Sequence, residues 1–283
     1  MIMTLIDDDN IRYFEAVIGE RYSEKNENEL YAGVIDDAGE AVAAGIFVDT
    51  PDGPEVDFIA VSDDRRRQGI GSFLLREMKT VCKKSGIGSM HATLFTEKEE
   101  AASDAIFLFL KKNGFEMNEL DARRSVYDLY RLMSLKPFAT TALKRPYTIK
   151  SVAELSEKDK GKICGKLDSE ENNLVDPQKV ISFENRYGGI LFEKDEPRAM
   201  IAAEHFYGGV HILSLYGDGD GLRMFPYLFD HVKEAVRREG MELDELVIDT
   251  VGEKMAAFEE RFMSGHDVDA VRRYQVYDAM LKL

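Results

Sequence analysis

The chain has 283 residues, of which 44% are hydrophobic and 32% are charged, and its formal net charge at pH 7 is −16. This length and composition predict a globular protein with two domains. The negative charge, with no lysine- or arginine-rich stripe in either half, disfavours nucleic-acid binding as the main function. It would concentrate cationic small molecules near the surface, although solubility alone is the plainer interpretation.

The sequence lacks the signals of membrane insertion and secretion. No apolar run reaches the ~18 residues that a membrane helix needs, and the opening stretch MIMTLIDDDN has neither a basic region nor a long apolar region. The two cysteines, Cys82 and Cys164, are too few for a disulfide framework, and their spacing suits no metal site. We therefore expect a cytoplasmic protein with no metal and no membrane association.

Strand and helix patterns alternate in the first half of the chain. In chain order the patterns predict strand 3–7, helix 8–22 with Asp8 or Asp9 as its N-cap, strands 30–37, 40–49 and 55–61, helix 73–84, strand 89–96, helix 99–114 and strand 123–132. Residues 133–146 contain two prolines and show no clear period, so we expect a linker there.

A second alternation follows the linker. It predicts strand 147–152, helix 156–167, strands 187–196, 197–206 and 210–216, helix 223–240, strand 245–251, helix 254–265 and strand 272–281. The two halves match in element order, and the sequence Val-Tyr-Asp occurs at both 126–128 and 276–278. We interpret the chain as an α/β protein with duplicated domains at 1–132 and 147–283; chance similarity between two α/β domains is the alternative.

Residues 65–72, Arg-Arg-Arg-Gln-Gly-Ile-Gly-Ser, stand between a predicted strand and a predicted helix. A glycine-rich loop at a helix N-terminus is typical of phosphate binding, because the first N–H groups have no intrahelical partner and the helix dipole is positive there. Arginine adds charge-assisted hydrogen bonds. The P-loop pattern fails at Ser72-Phe73, and the dinucleotide pattern requires a third glycine. A basic loop with solvated arginines is the alternative.

The run Arg66-Arg67-Gln68-Gly69-Ile70-Gly71 resembles the coenzyme A motif of the GNAT N-acetyltransferase superfamily, and the surrounding element order is similar to that fold. The resemblance covers residues 1–132 with the motif and 147–283 by element order alone. It implies an α/β chain of two tandem GNAT-like domains, each with a central, mostly antiparallel mixed sheet flanked by helices.

The resemblance also implies that acetyl-CoA is the co-substrate. Backbone N–H groups of the loop and the Arg66 side chain would hold the pyrophosphate, and an N–H near Ala60 or Val61 would polarise the thioester carbonyl. An amine would then attack directly, without a covalent enzyme intermediate. The residues implied in cofactor binding are Ile59, Ala60, Val61, Arg66, Arg67, Gln68, Gly69, Ile70, Gly71, Ser72 and Ser103.

Catalytic groups are less clearly indicated by the sequence. Glu55 and Asp57 lie two residues apart on a predicted strand, so they share one face, and either is a candidate general base; they could equally be solvent-facing polar residues. In this family a tyrosine usually acts as the general acid, and the position of that tyrosine is occupied by Leu110 in this sequence. The acid would then be Tyr127, Tyr31 or water, or the thiolate would leave unassisted. We interpret His91 as a packed side chain.

The second half lacks the coenzyme A motif. In the alignment of the two halves, Asp220 stands opposite Arg66 and Phe225 opposite Gly71, so we expect phosphate repulsion and a blocked backbone approach. The second domain would then complete the acceptor pocket, form a homodimer or bind a regulator. The stretch Gly-Asp-Gly-Asp-Gly at 217–221 lacks the glutamate of an EF-hand calcium loop.

The resulting hypothesis is an N-acetyltransferase that moves the acetyl group of acetyl-CoA to a primary amine. A cationic small molecule fits the negative charge, and a protein amine is also open. The alternative is an acyl-CoA-binding sensor or structural protein without turnover. A third interpretation is another acyl transfer on the same fold. The acceptor and the acyl-chain preference cannot be chosen from the residues.

Overall fold

The computed structural model describes residues 1–19, 28–50, 53–97, 103–167, 180–182, 185–206, 208–217, 223–239 and 243–283. The chain forms two compact units: unit 1 comprises Met1–Leu120 and Val276–Leu283, and unit 2 comprises Asp121–Gln275. This division by packing does not coincide with the limits predicted from the sequence. Residues 121–146 pack with unit 2, and the last eight residues of the chain pack with unit 1.

Unit 1 is a mixed sheet with helices on both faces. Its strands are, in spatial order, β1 (Ile2–Leu5), β2 (Glu29–Ile35), β3 (Ala41–Val48), β4 (Glu55–Val61) and β5 (Ser89–Thr96), followed by parts of β12 (Arg272–Lys282) and β6 (Glu116–Asp128). Strands β1 to β4 pair antiparallel, whereas β4 and β5 pair parallel. The helices are α1 (Glu15–Ile18), α2 (Ile70–Lys84) and α3 (Ala105–Lys112).

The apolar faces of the helices determine how they pack on this sheet. Helix α2 buries Leu74, Leu75, Met78 and Cys82, which lie on one side of a 3.6-residue helix. It forms one core with Leu110 of α3, on one face of the sheet. Helix α1 contributes Ile18 to a second, smaller core on the opposite face. Unit 1 is therefore a three-layer structure whose sheet is buried on both sides near β3.

Local side-chain caps explain where the structure departs from the predicted elements. Within the predicted helix 8–22, the structure has a 3₁₀ turn at Ile11–Tyr13 and then α1, and Asp7 accepts the N–H groups of Asp9 and Asn10 in place of the predicted caps. The rest of that prediction, residues 20–22, lies outside the described residues. The predicted strand 123–132 ends early because Asp128 accepts the Arg131 N–H at 2.9 Å and so starts a helix.

Unit 2 repeats the plan of a mixed sheet between helices. Its strands are, after its parts of β12 and β6, β11 (Glu245–Val251), β10 (Gly209–Gly217), β9 (Glu196–Phe206), β8 (Gly189–Glu193) and β7 (Tyr147–Lys150). The helices are α4 (Leu129–Ser134), α5 (Glu157–Leu167), α6 (Phe225–Glu239) and α7 (Gly252–Ser264). Strands β10 and β11 pair parallel, and the other recorded pairs are antiparallel. The predicted fold class is confirmed.

The segment predicted as a linker packs against α6. Phe138 is buried in the main core of unit 2, where its ring lies 6.0 Å from that of Phe229. The backbone N–H groups of Phe138 and Ala139 each donate to the Asp230 carboxylate at 2.8 Å. Residues 133–146 thus include an anchored stretch that a pattern of prolines does not reveal.

A charged network lies on one face of the unit 2 sheet. His211 of β10 and Asp249 of β11 are 2.8 Å apart (Nε2 to Oδ2), and Arg124 of β6 donates to both Asp249 oxygens at 2.7 Å. Burial opposes the charged imidazolium, but hydrogen bonds to Asp249 and Glu204 outweigh burial and raise the pKa of His211. Burial likewise opposes the Asp249 carboxylate, yet bonds from Arg124 and His211 lower its pKa. Both shifts favour the charged forms of these two side chains.

The raised pKa of His211 predicts a pH-dependent contribution to stability. The contribution is fully present below the unfolded pKa of about 6.5 and is lost as pH rises through the folded pKa. Denaturant unfolding should therefore show a larger difference in unfolding free energy between wild type and His211→Gln at about pH 6 than at about pH 9. In an Asp249→Asn background the trend should weaken, because the closest partner is gone. A difference that grows with pH would contradict the assignment.

Candidate functional site

The loop between β4 and α2 has the backbone geometry of an anion site. After β4 the chain makes a 3₁₀ turn at Asp63–Arg65, and α2 begins at Ile70. Arg67 and Gly69 both adopt the left-handed region, with φ of 63° and 84°. A left-handed residue directly before helical ones turns successive N–H groups toward one point, which is an arrangement that binds anions.

The two glycines of the loop are required for different reasons. At Gly69 an added Cβ would meet nothing within 4 Å, but the positive φ makes a side chain costly. At Gly71 an added Cβ would lie 3.2 Å from the Phe109 ring and 3.6 Å from Val61 Cγ2. Gly69 thus permits the turn, and Gly71 lets the first turn of α2 approach α3 and the end of β4.

The N-terminus of α2 carries uncompensated positive potential. Its first turn contains no acidic residue, and no side chain caps it. Ile70 is buried in the core, whereas Ser72 is only partly buried in the first turn. The first N–H groups of the helix and the positive end of its dipole therefore favour a bound anion.

The three consecutive arginines have three different environments. The Nη2 atom of Arg65 contacts Glu40 at 3.1 Å and Asp36 at 3.4 Å, so this arginine belongs to the turn between β2 and β3. Arg66 donates to the Val61 carbonyl at 3.2 Å and pairs with the exposed Asp63 at 2.7 Å.

Arg67 is exposed and makes no hydrogen bond or ion pair to any residue that the structure describes. The side-chain nitrogen of Gln68, which is also exposed, donates to the Asp64 carbonyl at 3.2 Å. Arg67 is therefore the loop cation with the least competition for an incoming phosphate, whereas Arg66 is restrained by the Val61 carbonyl and by an exposed ion pair of small energy.

Strands β4 and β5 separate soon after they meet. Their recorded ladder has one register pair, Glu55 with His91. Further along β4, Ala60 and Val61 pair with β3 on one side, through Ala44 and Ala43. On its other side β4 faces the space that opens between β4 and β5, which we call the gap. Alternate N–H and C=O groups of residues 59–61 therefore face the gap, where an extended ligand could pair with them. Ile59 and Val61 direct their side chains toward the core under α2.

The remaining predicted cofactor residue, Ser103, is exposed and directly precedes the N-cap of α3. That N-cap is Asp104, whose carboxylate accepts the N–H groups of Ile106 and Phe107 at 2.9 Å. Leu110, at the position of the family's tyrosine, is 1% exposed and belongs to the core of unit 1. This position therefore offers no hydroxyl and no contact with solvent.

The two candidate bases on β4 differ in their surroundings. The Oε1 atom of Glu55 accepts the backbone N–H of Thr93 at 3.1 Å and the Thr93 hydroxyl at 2.7 Å. Asp57 is exposed and is the extra residue of a β-bulge, because Val56 pairs with Phe47 and the next pair involves Phe58. The two-residue alternation on which their shared face was predicted is therefore interrupted between them.

The candidate acid Tyr127 lies in unit 2, whereas the other predicted site residues lie in unit 1. Tyr127 is 1% exposed, and its hydroxyl donates to Glu259, which also accepts from Arg123 at 3.2 Å. Burial, reinforced by the charge of Glu259, raises the pKa of the Tyr127 phenol. The other tyrosine, Tyr31, is buried and donates to Glu29 at 2.9 Å.

His91, the register partner of Glu55, and Asp278, which lies near His91, were not predicted as site residues from the sequence. His91 is partly exposed, with Nε2 3.2 Å from Ser89 Oγ and Nδ1 3.9 Å from the Asp278 carboxylate. Asp278 is near the end of the chain, and the return of β12 to unit 1 places it there. The signal in the sequence is the alternation of β12, in which Ala279 and Leu281 enter the core and leave Asp278 on the other face.

The corresponding loop of unit 2 is only partly described, since Asp218 and Asp220 lie outside the described residues. Phe225, at the start of α6, is fully buried, and its ring lies 4.8 Å from that of Phe258 in α7. The ring therefore fills the core of unit 2, and the expected block of the backbone approach at this helix start stays a prediction. Where unit 1 has Gly71 against Phe109, unit 2 has two aromatic rings.

Neither a metal centre nor a membrane span is found in the described parts of the chain. No group of three or more His, Cys, Asp and Glu residues there could hold a metal ion. Among the same residues, no helix combines the length and apolar character that a bilayer crossing requires.

Known proteins resemble the chain in two ways. Residues 3–115, less than half of the chain, match the family model described as the acetyltransferase (GNAT) family, and no curated protein matches the chain. The tandem GNAT protein from the clavulanic acid biosynthesis pathway is similar in structure, with 14% identity and a TM-score of 0.70 over 99% of this chain and 98% of that one. A GCN5-related N-acetyltransferase from Sphaerobacter thermophilus has 13% identity and a TM-score of 0.64 over 100% and 96%.

At such identities the solved structures show a shared fold, and the family model assigns the N-terminal part. The match ends at Phe115, one residue before β6, and contains the whole loop between β4 and α2. Residues 3–115 accordingly resemble the acetyltransferase (GNAT) family, and the chain as a whole shares the fold of a tandem GNAT protein.

Proposed function

We propose that unit 1 binds acetyl-CoA and transfers its acetyl group to a primary amine by direct attack. The observation that carries this proposal is the start of α2, where a left-handed Gly69, a Cβ-free Gly71 and an uncapped helix N-terminus lie beside the exposed Arg67. This combination suits a diphosphate. The acetyltransferase family match supports the reaction class.

Each part of the site has a role in this proposal. The backbone N–H groups of residues 69–72 donate to the pyrophosphate, and Arg67, assisted by Arg66, neutralises its charge. The edge of β4 that faces the gap pairs with the amides of the pantetheine arm. A backbone N–H near Ala60 or Val61 donates to the thioester oxygen, where negative charge develops during attack. Acetyl-CoA supplies an activated acetyl group whose leaving group is a thiolate.

Proton transfer requires one base and one acid. The attacking amine must lose a proton before it forms the C–N bond, and a carboxylate on β4 accepts that proton directly or through water. Asp57 at the bulge and Glu55 beside Thr93 are the candidates in unit 1. As the C–S bond breaks, the nitrogen gives its second proton to water, and water returns a proton to the departing thiolate, because Leu110 has no hydroxyl to supply one.

We further propose that the acceptor is a cationic small molecule. The chain carries a net charge of −16, and Asp57, Asp278 and Glu55 place carboxylates on or beside the strands of the gap. A cationic amine is attracted by this field, whereas an anionic acceptor is repelled. A protein amine remains the second class of acceptor to be tested.

The buried Leu110 favours a second candidate function. A site that binds acetyl-CoA but lacks the tyrosine hydroxyl could act as an acyl-CoA sensor without turnover. Binding is common to both candidates, so only turnover separates them.

Calorimetric titration with acetyl-CoA, followed by thiol release across a panel of amines, tests the proposal. We expect one site per chain and thiol release with one class of cationic amine. Release with peptide amines alone would reassign the acceptor. Binding without release for every amine would favour the sensor, and the absence of binding would contradict both candidates.

Two neighbouring arginines provide a matched pair of variants. Arg67→Gln should weaken acetyl-CoA binding about tenfold, because it removes a charge-assisted bond to phosphate. Arg65→Gln makes the same change of charge, but Arg65 is held by Asp36 and Glu40, so the affinity should change by less than about twofold. Equal losses in the two variants would show that only the net charge of the loop matters.

Two glycines with nearly the same backbone form a second matched pair. Gly69 and Gly39 have φ of 84° and 83°, and an added Cβ at either would meet nothing within 4 Å. Replacing either by alanine should lower the free energy of unfolding by about 1 kcal/mol. Only Gly69→Ala should also weaken acetyl-CoA binding, since Gly39 lies in the turn between β2 and β3. Equal affinities in the two variants would place the phosphate site elsewhere.

A further inference from the structure

We infer that Glu55 is a positioning residue that holds the gap between β4 and β5 open, and that it is not the general base. The inference rests on the proposed function for its catalytic consequence, because the gap is where the pantetheine arm would pair. Its structural content is independent of that function. It concerns how two parallel strands stop pairing without leaving a polar group unsatisfied.

At the start of the gap, a side-chain hydrogen bond replaces one of the backbone hydrogen bonds between β4 and β5. The N–H of His91 donates to the Pro54 carbonyl at 3.0 Å, as in a regular parallel ladder. In such a ladder the next donor, the Thr93 N–H, would bond to the carbonyl two residues further along β4, that of Val56. Instead it donates to the Glu55 carboxylate at 3.1 Å, and the Thr93 hydroxyl donates to the same oxygen at 2.7 Å.

This side chain therefore takes the place of a backbone carbonyl. A carboxylate extends further from its strand than a carbonyl does, so β5 keeps its hydrogen bond while its distance from β4 grows. Without this bond, the Thr93 N–H would have to pair with β4 or with water. The bulge at Asp57 follows directly and bends β4 away.

Unit 2 repeats this arrangement with different chemistry. The ladder between β10 and β11 covers Gly209–Ile212 and Glu245–Ile248, and the β10 bulge leaves Leu213 unpaired with β9. At the corresponding positions His211 and Asp249 form a cross-strand bond of 2.8 Å. The correspondence between the units holds for all three positions, because each residue of unit 2 follows its counterpart in unit 1 by the same number of residues. The pairs are Glu55 and His211, Asp57 and Leu213, and Thr93 and Asp249.

The comparison of the two units indicates which property the position requires. A glutamate that accepts from a threonine and a histidine bonded to an aspartate share no acid–base role. In each unit, the residue two positions before the bulge forms a side-chain hydrogen bond with the neighbouring parallel strand. Its partner on that strand lies two positions after the residue with which it is in register. Position 55 therefore needs a cross-strand hydrogen bond, and this leaves Asp57 as the carboxylate of β4 that accepts the proton of the amine.

Substitutions at Glu55 separate the positioning role from a basic role. Glutamine keeps an oxygen that can accept both Thr93 donors but is not a base, whereas alanine removes the bond. Glu55→Ala should raise the Kd and the KM for acetyl-CoA about tenfold and accelerate hydrogen exchange of the Thr93 amide by a similar factor. Glu55→Gln should restore each value to within about threefold of wild type.

Asp57→Asn is the matched control, because it removes the other carboxylate of β4. It should lower kcat without changing the exchange of the Thr93 amide. The inference is overturned if Glu55→Gln and Glu55→Ala lose kcat equally while Kd and Thr93 exchange stay at wild-type values, since Glu55 would then be the base.

Two further readouts keep the test decisive. If Glu55→Ala does not fold, Thr93→Val removes only the hydroxyl bond and should give a smaller rise in Kd, with Thr93→Ser restoring it. If wild type does not bind acetyl-CoA at all, the proposed function fails, but amide exchange at position 93 still tests the hydrogen bond. Wild-type exchange in Glu55→Ala would then refute the positioning role by itself.

Discussion

The separation of β4 from β5 after one register pair is the constraint on which the rest of unit 1 depends. A parallel pair that ran its full length would satisfy the backbone of residues 59–61 internally and leave no edge for a ligand. Separation creates unsatisfied groups, which are costly unless something pairs with them. The Glu55–Thr93 bond satisfies the group nearest the junction. Beyond it the Val61 carbonyl accepts from Arg66 at 3.2 Å, and under the proposed function an extended molecule pairs with the other groups that face the gap.

A second constraint is the placement of positive charge in an acidic protein. Attraction of an anion to a chain with a net charge of −16 requires a strong local field. The start of α2 supplies this field with backbone groups, which do not move and have no competing acidic partner in the first turn. The arginines of the loop differ in role. Arg65 forms an ion pair with Glu40 in the turn between β2 and β3, whereas Arg67 is exposed. Fixed backbone dipoles and exposed arginine side chains therefore contribute to the same positive field.

The sequence was sufficient for features that local patterns determine. The strand 89–96 and the last residue of α2 were predicted as the structure has them, because hydrophobic period is a local signal, whereas α2 begins at Ile70 and not at the predicted residue 73. Features that depend on distant contacts were missed. Nothing near Asp57 reveals that an extra residue interrupts β4, since a bulge is defined by its partner strand. Likewise, Asp278 could not be placed beside His91 without the path of the last strand.

The path of β12 also has a consequence for how the protein is made. The strand that completes the unit 1 sheet, residues 276–283, is synthesised after all of unit 2, and it brings Ala279 and Leu281 into the unit 1 core. Unit 1 therefore cannot complete its core until unit 2 has been synthesised, in contrast to the N-terminal-first order of most multidomain proteins. No single cut in the polypeptide would release unit 1 intact. The two units pack separately, but unit 1 contains residues that follow unit 2 in the chain.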